Sequence, residues 1–164
     1  MNDNRLILEM THYYAGQPHR IQHFMKVYGY AKLIGEEERI DARTQEILNA
    51  ASIVHDIGIK KSEEIYGDSI GSHQEELGPS IAEDMLKKLG YDEELIQRVS
   101  YLVGHHHTYD PIDGMDYQIL VEADFLVNLY EMGNTPNDSL RRLFQTKTGT
   151  RLLETMYRGK EMEA

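Results

Sequence analysis

Residues 47–58 read Ile-Leu-Asn-Ala-Ala-Ser-Ile-Val-His-Asp-Ile-Gly. Ile47, Leu48, Ala51 and Val54 recur at the spacing of one helix face, and Asp41 stands where an N-cap is needed. His55 lies four residues after Ala51 and eight after Ile47, so it shares that inward face. Asp56 follows at the helix end, where a change of backbone direction can turn both side chains to one point. A buried carboxylate costs several kcal/mol unless it is paired or metal-bound, so this ending needs a partner.

The helical period continues outward on both sides. Residues 3–14 predict a short first helix. Pro18 suits the first turn of a second, which carries Ile21, Phe24, Val27, Ala31 and Ile34 on one stripe before Gly35. The pattern breaks over 58–71, which reads as a loop. Pro79, or a residue just before it, opens a helix through Ile81, Met85, Leu86 and Leu89 that ends at Gly90. Asp92 caps another, with Leu95, Ile96, Val99, Leu102 and Val103 on its apolar face. After a turn-rich stretch at 109–114, residues 119–129 are apolar almost all round and predict a central, buried helix. The tail, 137–158, suggests two short helices. Strict apolar–polar alternation is scarce and prolines number four, so the expected fold is all-α, a compact bundle of about seven to nine helices.

A chain of 164 residues is long enough for one domain with a real core, and 1–164 is read as one. The absence of cysteine excludes disulfides, thiolate zinc sites and thiol nucleophiles. No charged-then-apolar leader opens the chain and no apolar run approaches the ~20 residues of a membrane span, so a soluble, cytoplasmic protein is expected. The 17 basic against 28 acidic residues, net -11, oppose nucleic acid and anionic membranes as partners. A small phosphorylated ligand stays open, because a metal and a few cations can reverse the sign inside one pocket.

Two further residues repeat the theme of the opening stretch. His23 lies four residues before Val27 and eight before Ala31, and therefore faces the core with them. Asp124 sits between Ala123 and Phe125 in the most apolar helix, with Asn128 one turn on to orient it. Taken singly, each has a plainer reading: a histidine hydrogen-bonded in the core, an aspartate paired with an arginine. Together, two imidazoles and two carboxylates from three helices make a mixed N/O set with room for water, as catalytic metals require.

The order His23, then His55-Asp56, then Asp124 resembles the HD-domain superfamily of metal-dependent phosphohydrolases. The contexts match as well: HFMKVYGYA around His23, IVHDIG at His55-Asp56 and ILVEADFL around Asp124, so the resemblance runs over roughly 18–130. It implies an HD-domain-like bundle whose His23, His55, Asp56 and Asp124 bind a divalent metal (Mn, Fe, Co, Ni, Zn or Mg), one or two ions per chain. It also implies hydrolysis of a phosphate ester or anhydride in a small, nucleotide-like substrate by a metal-activated water, which Asp56 orients or deprotonates.

The segment His105-His106-His107-Thr108-Tyr109 resembles a histidine-bearing helix end found in several HD branches. His106 is placed there as a ligand, a phosphate contact or a proton donor to the leaving group, and His107 as a phosphate contact; the plainer reading is imidazolium complementing a helix C-terminus, ~0.3–1 kcal/mol. Two departures stand out. Ile59 follows the glycine of H-D-x-G where many members place a lysine, which leaves Lys60 and Lys61 as the phosphate-binding candidates, Lys60 among the catalytic ones. A second-metal histidine is expected four residues before a glycine, but His73 lies five before Gly78 and Gln74 holds the expected offset. The candidates for a second metal are thus His73, Glu75, His106 and His107. Arg20, one turn before His23, could grip phosphate or form a surface salt bridge, while His12 and His19 read as surface residues. Two other functions fit the same residues: a metal- or nucleotide-binding regulatory module with little turnover, and an HD-like di-iron oxygenase. The oligomeric state is not legible.

Overall fold

The structure, a computed structural model, describes residues 3–159, and among these it holds nine helices and no strand. In chain order they are α1 (Asp3–Tyr13), α2 (Pro18–Glu37), α3 (Ala42–Val54), α4 (Ile59–Tyr66), α5 (Gly71–Lys88), α6 (Glu93–Val103), α7 (Met115–Met132), α8 (Asp138–Leu143) and α9 (Lys147–Met156). The all-α bundle is therefore as expected. Helix α7 is its axle: Ile119, Leu120, Val121, Ala123 and Leu126 are all buried, because α2 and α3 pack against one side and α9 against another. Helices α5 and α6 pair with each other, and α6 leans on α3. No helix among the described residues is long and apolar enough to cross a membrane.

The caps follow the sequence closely. Asp41 accepts a hydrogen bond from Thr44 N at 2.9 Å, and Asp92 accepts one from Leu95 N at 3.1 Å. Asn137 and Thr146 cap α8 and α9 in the same way. Each such cap is worth about 1 kcal/mol.

Three boundaries differ from expectation. The stretch expected as a loop at 58–71 contains α4, whose Ile59 and Ser62 are buried and whose end is set by Gly67 in the left-handed region at φ 71. Helix α5 begins at Gly71, so Pro79 lies inside it rather than at its start. The proline ring is accommodated by Gly104 of the facing segment, where a Cβ would come within 3.1 Å of Pro79 Cγ. Helix α2 continues past Gly35 to Glu37, and Arg39 takes the left-handed turn at φ 58. Gly35 serves space instead: a Cβ there would overlap the Gln45 side chain.

Two features hold the site's framework. Helix α1 and the turn after it clamp the turn that follows α3, since the Tyr14 hydroxyl donates to Asp56 O at 2.7 Å and the Tyr13 hydroxyl donates to Ile57 O at 3.1 Å. In the middle of α7, the buried carboxylate of Glu122 accepts from Thr146 N (3.1 Å), Gln145 N (3.0 Å), Thr146 Oγ1 (2.6 Å) and Gln118 Nε2 (2.6 Å). It thereby docks the start of α9 on α7.

Candidate metal centre

Helix α2 supplies His23, the end of α3 supplies His55, the turn after it supplies Asp56, and α7 supplies Asp124. Their donor atoms converge. His23 Nε2 lies 3.0 Å from Asp56 Oδ2, 3.1 Å from Asp124 Oδ1 and 3.2 Å from His55 Nε2. His55 Nε2 lies 3.3 Å from each of the same two carboxylate oxygens. All four residues are buried or nearly so.

The tautomers decide what this cluster needs. His23 Nδ1 faces Glu131 Oε2 at 2.9 Å, and His55 Nδ1 faces Ser52 O at 2.7 Å. Both partners only accept, so each imidazole carries its proton on Nδ1 and turns a bare Nε2 lone pair inward. Two lone pairs and two carboxylate oxygens then face one another with no donor among them. Such an arrangement is repulsive until a cation fills its centre. The spacing fits a metal, because bonds of about 2.0–2.1 Å set neighbouring ligand atoms about 3.0–3.3 Å apart in octahedral or tetrahedral geometry. The donor set therefore suits a divalent ion, and Glu131 and Ser52 O are the partners that orient its imidazoles.

Without an ion, protons take its place. Burial acts to lower the His23 pKa, but hydrogen bonds to Asp124 and Asp56 outweigh it and push it up to about 11. Burial likewise opposes protonation of His55, yet the charges of Asp56 and Asp124 raise it to about 10. Burial alone would raise both aspartates; instead the His55 charge and the histidine hydrogen bonds hold Asp56 and Asp124 well below the usual carboxylate range.

A second cluster adjoins the first through Asp56. Its other oxygen, Oδ1, lies 3.2 Å from His106 Nε2, and His106 Nδ1 donates to Val103 O at 2.8 Å. His107 stands beside it, and Asp56, His106 and His107 together could also hold an ion. Gln74 Nε2 donates to Ser69 O at 2.6 Å, which leaves its Oε1 to accept from His107 Nε2 at 3.0 Å. Burial and the His106 charge lower the His107 pKa to about 4, so this ring stays neutral.

The remaining candidates fall elsewhere. His73 Nδ1 pairs with Asp68 at 2.8 Å and its ring stacks on Tyr66. Glu75 accepts from His107 N at 2.9 Å and from Thr108 Oγ1 at 3.0 Å, tying α5 to the 105–108 turn. Lys60 donates to Tyr13 O at 3.2 Å, Lys61 pairs with Glu64, and both lysines line a separate cavity of about 420 Å³. The cause is one inserted position: Ile59, buried, faces the metal cavity, and about 100° of helical rotation carries the next residue away from it.

The cavity over the cluster has a volume of about 1130 Å³ and is reached by His19, Arg20, Gln22, Lys26 and Asn128 as well as by His23, Asp56 and His107. Arg20 pairs with Glu63 at 2.6 Å while its Nε is buried without a hydrogen-bond partner. His19 is exposed, as expected, and stands at the rim of this cavity one turn before His23. Glu131 and Tyr14 went unnoticed in the sequence, whereas Gln74 stood out only by holding the offset expected of a histidine.

No curated protein matches the chain. A crystal structure of a predicted HD superfamily hydrolase from an uncultured Thermotogales bacterium superposes with a TM-score of 0.71 at 23% identity, covering 94% of this chain and 84% of that one, a likeness of fold. The family model of the HD domain matches residues 20–144, which takes in all four converging residues. The chain belongs to the HD-domain family, a family of metal-dependent hydrolases.

Proposed function

We propose that this protein is a metal-dependent phosphohydrolase acting on a small phosphorylated, nucleotide-like substrate. The observation that carries the reading is the acceptor-only cluster of His23, His55, Asp56 and Asp124, open to a cavity that holds Arg20 and Lys26 in a chain of net charge -11. Positive side chains gathered in one cleft of an acidic protein favour an anionic ligand there. A bound divalent ion supplies Lewis acidity, which lowers the pKa of water and polarises a phosphoryl oxygen.

The chain's own groups do the rest. Asp56 keeps Oδ1 turned to His106 while Oδ2 faces the other ligands, so it is placed to take a proton from the attacking water. His106 Nε2, beside that oxygen, can receive the proton and return it to the leaving oxygen. Arg20, whose buried Nε lacks an acceptor, holds the phosphate in place of Lys60 and Lys61. Mn, Fe, Co, Ni, Zn and Mg all suit histidine and carboxylate ligands, and Asp56, His106 and His107 offer room for a second ion. A free small molecule as the partner, rather than nucleic acid or membrane, and a cytoplasmic setting complete the reading.

The test is metal content and phosphate release, measured on reconstituted protein across a panel of nucleotide and sugar phosphates with Mn, Co, Fe and Mg. One or two ions per chain, lost in Asp124→Ala, with phosphate released only by the loaded protein, is the expected result. A protein that binds no metal after reconstitution sinks the proposal. The second reading, a regulatory module with little turnover, is favoured by Lys60 turning away from the cavity; tight phosphate binding without release would select it.

A further inference from the structure

Beside Leu129 the metal cavity adjoins a second hollow of about 680 Å³ between α2, α7 and the end of α9. Lys26, Leu129, Asn134 and Thr135 line both hollows, so the two are neighbours. Their chemistries differ. The first gathers imidazoles, carboxylates, amides and cations beside Ile59, Phe125, Met132 and Leu140, whereas the second is walled by Tyr30, Tyr130, Met156 and Tyr157 over the aliphatic side chains of α7. Tyr130 is 75% exposed and Met156 is 38% exposed, on the rim of an already apolar hollow. At the junction the Lys26 ammonium lies 5.7 Å from the centre of the Tyr130 ring and 3.4 Å from Glu131, the residue that orients His23.

We infer that this annex is a subsite for the leaving group, and that the preferred substrate is a phosphate ester whose leaving alcohol carries an aromatic or apolar group. The inference rests on the proposed function, which places the phosphate in the metal cavity. The volume lies in the range of small-molecule pockets, about 300–1,000 Å³. Its position beside the metal cavity favours a ligand that reaches into both. Three tyrosine rings and a thioether favour a planar group, and Lys26 sits where the anionic and apolar parts of such a ligand join. Lone exposed apolar residues call for no ligand, but a contiguous apolar hollow beside a charged one does.

Binding of 1-naphthylphosphonate and methylphosphonate to the metal-loaded protein tests this, because neither can be hydrolysed. The expected result is tighter binding of the naphthyl compound by roughly tenfold or more. In Tyr130→Ala and Met156→Gln, both outside the metal centre, that preference shrinks towards unity while methylphosphonate affinity holds. Equal affinities in the unaltered protein, no binding of either compound, or a preference untouched by both substitutions would overturn the subsite. The hydrolase reading fails separately: selective naphthylphosphonate binding without phosphate release from 1-naphthyl phosphate keeps the annex and removes the turnover.

Discussion

At the residue scale the behaviour of the centre follows from two bare nitrogens. His23 and His55 hold their Nε2 atoms 3.2 Å apart, and in the metal-free protein protons must occupy the space between them and the carboxylates. Both pKa values are raised from 6.5, to about 11 and about 10, so these histidines stabilise the metal-free fold fully below pH 6.5. That contribution is lost as pH rises through about 10 to 11. Thermal unfolding of metal-free protein should therefore move to lower temperature between neutral and strongly basic pH, and metal-loaded protein should resist the change. Loading at neutral pH should release about two protons per ion, read from the buffer dependence of the binding enthalpy. Zero release would mean that the imidazoles are already neutral. Glu131→Gln should weaken metal affinity by about 10–100-fold with little change in the metal-free melting temperature, because it removes the carboxylate that fixes the His23 tautomer. Unchanged affinity would make Glu131 a bystander.

At the element scale, the helices that carry ligands are held by contacts far along the chain. Tyr14→Phe should cost about 1 kcal/mol in urea unfolding and loosen metal binding, since its hydroxyl fixes the backbone of Asp56. Equal metal affinity in this variant would show that the turn is set by the core alone. Glu122→Ala should cost about 2–4 kcal/mol, because four donors lose one acceptor and α9 loses its dock. Intact stability would mean that solvent replaces the carboxylate.

Much of this scale was readable. The caps Asp41 and Asp92, the inward stripe of α3 and the apolar α7 are local patterns, so sequence reveals them. Helix α4 was hidden because it is short, has only Ile59 and Ser62 buried, and lies between glycines that also mark loops. Pro79 misled because its place inside α5 depends on Gly104 across the interface, a tertiary fact. The same division runs through the site. His23, His55, Asp56 and Asp124 were legible from burial cost and spacing, and the structure brings them together. The directions of Lys60, His73 and Glu75 were not, since one residue of helical phase decides which side each faces.

At the scale of the whole molecule, three helices and the turn after α3 meet at one ion-sized space, so an ion that binds the folded state alone stabilises all of them by mass action. At a hundredfold excess over Kd the gain is about 2.7 kcal/mol, which should raise the melting temperature by roughly 5–10 °C. Asp124→Ala should abolish the rise. A shift of equal size in that variant would place the ion elsewhere.

The ligands are also far apart along the chain: 32 residues separate His23 from His55, and 101 separate it from Asp124. A chain growing from the ribosome holds three of the four ligands long before it holds the last. Until α7 emerges, those three lack the helix that closes the pocket, and any early ion would be weakly held. Tight loading is therefore expected only after the chain through α7 has folded, when all four residues can meet.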